Sequence, residues 1–214
     1  VRRLVALLFF VAGCGFPREA GPVAPPESRQ AVTVEPSGPV PHVAVRLWER
    51  TGDVWHVALG PWPGVVGCSG IAPAPTKREG DKRTPAGCFP LGPAFGDTTN
   101  ADTRLGYFQA TDNDYWIDDP ASPDYNRRVV GPRPLRSHER LRRDDHQYRR
   151  AVVIGYNTVN PVPGRGSAIF LHVWRGPGQG TDGCVALAAE HVDQLLRRLD
   201  RALRPVIVIQ APTD

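Results

Sequence analysis

The sequence predicts a mainly β fold, a sandwich or partly closed barrel with one packed C-terminal helix and long loops. Three observations carry this. Glycine and proline are abundant, at 22 and 23 of 214 residues, a composition that favours turns and short strands over long helices. Short stretches alternate with period two, as at Val43, Val45 and Leu47. One stretch alone, Ala189 to Leu203, has sustained helical periodicity, with Val192, Leu195, Leu196, Leu199 and Leu203 on one face. The length suits one domain with a real core plus extensions.

At the N-terminus Arg2-Arg3 precedes an apolar run from Leu4 to Val11. That run is too short to span a bilayer as a mature helix and has the order of a signal segment. It ends in Val11-Ala12-Gly13-Cys14, which resembles a bacterial lipobox. The resemblance implies that residues 1–14 are a lipoprotein signal peptide ending at a lipidated Cys14. The protein would then be extracytoplasmic, held at the membrane by a lipid anchor and facing the cell wall. Residues 15–41 contain Pro17, Pro22, Pro25, Pro26, Pro36, Pro39 and Pro41 with little apolar periodicity. They are expected to form a disordered Pro/Gly-rich linker, with one catalytic domain from 42 to 212.

Within that domain Val43 to Leu47 and Val54 to Leu59 flank Gly52-Asp53, predicting a hairpin that ends at Pro61-Trp62-Pro63-Gly64. Gly80 to Gly87 is a polar loop introducing a strand at Cys88-Phe89-Pro90-Leu91. Ala94 to Arg128 is polar and irregular; Trp116, Asp118 and Asp119 are candidates to line a cleft, with a structural turn closed by Asp119-Pro120 as the equal alternative, and Asp112-Asn113-Asp114 lacks the calcium-loop pattern. Ser137 is expected to cap a short helix from His138 to Asp144. Strands are predicted at Ala151–Tyr156, Ala168–Trp174 and Val206–Ile209, with Pro205 stopping the helix before the last. His138, His146, His172 and Cys184 lack metal-ligand spacing, so no metal is expected. The net charge of +4 is mild, and no recognition helix or dense basic run points to nucleic acid.

The chemistry concentrates in Ser167 to Leu187, SAIFLHVWRGPGQGTDGCVAL. His172 on a strand precedes Cys184 by twelve positions, across a loop whose glycines allow it to fold back. A thiol becomes a strong nucleophile as thiolate, and a neighbouring imidazole can take its proton. Thr181-Asp182-Gly183-Cys184 reads as a polar turn that presents the thiol at a surface, with the Gly183 and Cys184 N–H groups placed for an oxyanion. The alternative is a cysteine serving as a small buried hydrophobe.

This segment, together with Lys77 to Gly87, Trp116 to Pro120, Tyr125-Asn126 and Val152 to Asn157, resembles the L,D-transpeptidase catalytic domain family (YkuD-like). The resemblance covers roughly residues 42 to 210. In that family a strand His is followed by a Ser/Thr-x-Gly-Cys turn. The sequence departs where many members carry Arg after the cysteine, since Val185-Ala186-Leu187 stands there. The resemblance implies a cysteine acyltransferase acting on peptidoglycan stem peptides, without metal or organic cofactor, that forms 3→3 cross-links. Cys184 would be the nucleophile and His172 its base, oriented by a backbone carbonyl. Gly183 and Thr181 would serve the oxyanion, and Trp174, Asn157 and His146 would contact substrate. An L,D-carboxypeptidase, a sortase-like enzyme with a longer His-to-Cys gap and a non-catalytic wall-binding module are the alternatives. With Cys14 lipidated three cysteines remain, and a Cys68–Cys88 disulfide is expected to leave Cys184 free.

Overall fold

The computed structural model describes residues 21–132 and 136–212; the expected signal peptide, residues 1–14, and its Cys14 lie outside them. The strands in chain order are β1 Gln30–Pro36, β2 His42–Thr51, β3 Val54–Val65, β4 Ile71–Ala72, β5 Thr84–Pro85, β6 Gly87–Gly96 and β7 Tyr107–Gln109. There follow β8 Asp114–Ile117, β9 Arg128–Val130, β10 His138–Arg140, β11 Arg150–Ile154, β12 Phe170–Val173, β13 Val185–Leu187 and β14 Val206–Ile209, with helix α1, Ala189–Arg198, between the last two. The main sheet runs β11-β12-β13-β3-β2-β1-β14-β6, and β11 also pairs with β6, so the sheet closes into a barrel. Its interior is filled by aliphatic side chains including Val32, Leu47, Val152, Leu171, Leu187 and Ile207. A small sheet, β10-β8-β9, stands beside it.

The β2–β3 hairpin forms where alternation predicts it, turning at Gly52-Asp53. It does not end at Pro61. Strand β3 continues to Val65, because the register shifts between Val45 and Leu47 and so takes Gly60-Pro61 out of the regular ladder.

The largest correction concerns the linker. Residues 30–36, expected to be disordered, form the central strand β1, antiparallel to β2 and parallel to β14. Gln30 through Val34 are all buried. The β-branched run Val32-Thr33-Val34 suits a strand closed on both sides, but the surrounding prolines mask it and one partner lies over 170 positions away. The folded domain therefore begins before residue 42.

Two more expectations are corrected by long-range partners. His138–Arg140 is not a helix but strand β10, paired with Tyr115–Ile117 of β8. Pairing with that strand outweighs the weak local preference for a capped helix. Helix α1 stops at Arg198 instead of Leu203, and Leu199 is extended and fully buried. Buried Gln30 of β1 holds this end: its Nε2 donates to the Arg198 carbonyl at 2.9 Å and its Oε1 accepts from Asp200 N–H at 2.8 Å. Asp200 then caps a short 3-10 turn, Arg201–Leu203, by accepting from Ala202 N–H. α1 packs through Val192, Leu195 and Leu196 and contacts β11 and β12, the strand that carries His172.

Candidate active site

Strand β12 lies between β11 and β13, with His172 opposite Ala151 on one side and Ala186 on the other. Because β13 runs parallel to β12, the chain must loop back between them, and Cys184 arrives immediately before β13. The loop is tied to the end of β3: Thr181 N–H donates to the Val66 carbonyl at 2.9 Å, and Cys68 N–H donates to the Thr181 carbonyl at 2.8 Å. At Gly180 a Cβ would stand 2.7 Å from Cys68 Cα, so only glycine permits this approach. Gly183 has φ +142°, a conformation that side chains rarely adopt.

Cys184 and His172 line one cavity of about 230 Å³. The thiol is not presented at the surface, as the sequence suggested; Cys184 is 7% exposed. Its Sγ accepts from Phe170 N–H at 3.3 Å and donates to the Ala168 carbonyl at 3.4 Å. That carbonyl is aimed by an unusual backbone, since Ala168 has φ +52°. Asn126 holds it there: its Oδ1 accepts from Ala168 N–H at 3.1 Å and from Trp116 Nε1 at 2.8 Å. Burial, foremost, pushes the thiol up to about 12, opposed by the Phe170 N–H, which favours thiolate.

His172 is 3% exposed, and its Nδ1 lies 2.8 Å from the Val173 carbonyl. A carbonyl only accepts, so Nδ1 carries the proton and Nε2 keeps its lone pair. Burial, foremost, lowers the imidazole to about 4 from its ordinary 6.5. The resting pair is therefore thiol and neutral imidazole. Between pH 6.5 and about 4 the unfolded chain takes up a proton at this position and the folded chain does not, so stability falls as the pH drops through that window. The contribution is about 3 kcal/mol at one pH unit per 1.36 kcal/mol. His172→Gln should flatten the stability–pH curve there, measured as urea midpoints. An unchanged slope would mean that the imidazole is not held neutral by burial.

Thr181 also lines the cavity, but its hydroxyl is occupied: it donates to the Cys184 carbonyl at 2.7 Å and accepts from Gly183 N–H at 3.1 Å. In the resting site Gly183 N–H thus serves the turn, and an oxyanion would have to draw it away from Thr181. Asn157, Trp174 and His146 are not among the residues lining the cavity. The Asn157 side chain staples its own loop, bonding Val162 and Gly166. Trp174 is half-buried, and its backbone N–H donates to the Leu187 carbonyl. His146 is exposed in a left-handed turn that Arg143 begins. Cys68 and Cys88 are both free and exposed, so the expected disulfide is absent. Cys68 packs against the Gly180 loop while Cys88 sits in β6 opposite Val208, on different parts of the barrel.

The cavity also gathers residues that the sequence did not single out: Glu79, Glu139, Arg143 and Tyr148. Glu79 lies beside the polar loop of Gly80 to Gly87, and its Oε2 accepts from Tyr125 Oη at 2.5 Å and Ser167 Oγ at 2.7 Å. Asp118, a cleft candidate, lines the cavity as well, whereas Trp116 is buried beneath it. Glu139 and Tyr148 sit on segments without periodicity or motif, and no local signal marks them.

The family model of the YkuD L,D-transpeptidase catalytic domain matches residues 40–208. No curated protein and no solved structure matches the chain. The match begins after β1, so the strand at the centre of the sheet lies outside it.

Proposed function

The chain belongs to the L,D-transpeptidase catalytic-domain family, and on that footing we propose that it forms 3→3 cross-links between peptidoglycan stem peptides. We further propose that it works outside the cytoplasm, held by lipid on Cys14. The observation that supports the reaction best is that Cys184 and His172 line one cavity, with the imidazole Nδ1–H fixed on Val173 so that Nε2 can act as base.

The thiol proton passes to His172 Nε2 as Sγ attacks the carbonyl of the third residue of a donor stem. With thiol and imidazole both neutral at rest, forming the ion pair beforehand is uphill, and general-base transfer during the attack avoids that cost. The tetrahedral oxyanion forms beside the turn of Gly183 and Cys184, whose N–H groups stabilise it once Gly183 N–H leaves the Thr181 hydroxyl. Collapse breaks the C–N bond, and imidazolium protonates the departing amine of the terminal D-amino acid. This leaves a thioester on Cys184 and neutral His172. An amine of a second stem then attacks the thioester, and the thiol is restored. The cavity walls carry the carboxylates of Glu79, Asp118, Glu139 and Asp182 and the guanidinium groups of Arg143 and Arg175. Charges of both signs suit a stem peptide, which carries amines and carboxylates.

Incubation with purified disaccharide-tetrapeptide, followed by mass spectrometry, tests this. A dimer lacking one terminal D-alanine is expected. Tripeptide monomer alone would replace transpeptidation by carboxypeptidase action, and unchanged substrate would overturn the acyl-transfer reading.

A further inference from the structure

An acceptor ammonium has no lone pair to attack with until it loses a proton. His172, lowered by burial, is a weak acceptor for it. Carboxylates stand on the same cavity. Glu139 of β10 lines it, and its Oε2 accepts from Tyr148 Oη at 3.4 Å and from Arg143 Nη1 at 3.3 Å. The Tyr148 ring meets the His172 ring edge-on at 5.1 Å, so Glu139 is one side chain removed from the catalytic imidazole. Arg143 is bound more closely by Asp145, at 2.5 Å, than by Glu139. Asp118 lines the cavity too, and its Oδ1 is buried with no hydrogen-bond partner among the described residues. A group carrying several N–H donors and a positive charge would satisfy both carboxylates.

We propose, resting on the transpeptidase reading, that Glu139 is the general base for the acceptor, taking one proton from its ammonium while Asp118 accepts a second N–H. The freed amine nitrogen forms the new C–N bond with the thioester carbonyl. The second nitrogen proton passes to His172 as the tetrahedral intermediate collapses. The C–S bond breaks, and imidazolium returns that proton to the sulfur. Glu139 then releases its own proton to solvent, which balances thioester plus ammonium against amide, thiol and one proton. Burial of Glu139, chiefly, raises its carboxyl pKa, opposed by Arg143 and reinforced by Asp118 and Asp182. A carboxylate with a raised pKa is a better match for accepting a proton from an ammonium. Water as acceptor carries no ammonium, so hydrolysis of the same thioester does not need this step.

The test is the ratio of aminolysis to hydrolysis in wild type and Glu139→Gln, with the acyl-enzyme followed by intact mass. Glutamine keeps an acceptor for Tyr148 and Arg143 but takes no proton. The ratio is read within one acyl-enzyme and is therefore insensitive to how fast that species forms. With the stem-peptide acceptor it should fall by about 100-fold, the usual contribution of a general base. With hydroxylamine, an acceptor already neutral at neutral pH, it should stay near the wild-type value. Glu139→Asp should restore part of the loss. An unchanged ratio with the stem peptide, an equal loss with hydroxylamine, or loss of acyl-enzyme in the variant alone would each overturn the assignment. Absence of acyl-enzyme or dimer in the wild type would instead refute the transpeptidase reading beneath it.

Discussion

Cys184→Ala is expected to abolish acyl transfer, lowering turnover by at least ~10⁴-fold while leaving a folded protein. The size follows from chemistry: no other group on the cavity can form a thioester, and the covalent route is lost with the sulfur. Stability should change by no more than about 2 kcal/mol, because alanine is small and the site loses only the two weak sulfur hydrogen bonds to Phe170 and Ala168. Intact-mass analysis after incubation with stem peptide should show no adduct, against an adduct on the wild type. Undiminished turnover in the variant, with the substitution confirmed by mass, would end the mechanism in which Cys184 is the nucleophile.

A chain starting at His42 is expected not to fold, whereas one starting at Gly21 should. Removing β1 strips Ala31, Val32 and Val34 from the core, each at 0% exposure. A buried valine contributes about 1.5–3 kcal/mol. The larger effect is on the neighbours. β2 and β14 lose their ladders to β1 and the barrel opens along its length. Gln30 also leaves Arg198 and Asp200 without their partner at the end of α1. Together these losses approach the whole stability of a small domain, about 5–15 kcal/mol. Circular dichroism with thermal melting of the two chains would decide it. A cooperative transition in the shorter chain would show that β1 is dispensable. The family match begins at residue 40, so a chain cut to the matched segment would make the same error.

The two cases divide local reading: it finds the Cys184 segment and misses β1. The β2–β3 hairpin, β11, β12 and β14 are legible because alternation or an apolar run and its turn residues sit within a few positions of one another. The strand, glycine loop and turn that carry His172 and Cys184 are legible for the same reason, as backbone freedom and side-chain chemistry are encoded in one stretch. The family resemblance extends that reading to the barrel.

What the sequence by itself determined is therefore the set of local elements, the mainly β class and the segment holding the cysteine and histidine. The tertiary structure alone decided that residues 30–36 form a central strand of the barrel, that 138–140 pair as a strand, and that Gln30 ends the helix from 168 positions away. It also decided that Cys68 and Cys88 remain apart, that the thiol is buried beside Ala168, and that Glu139 and Tyr148 share the cavity. The physical reason is common to all of these. Burial, strand pairing and the electrostatic setting of a group depend on which distant segments surround it, and no window of neighbouring residues carries that information.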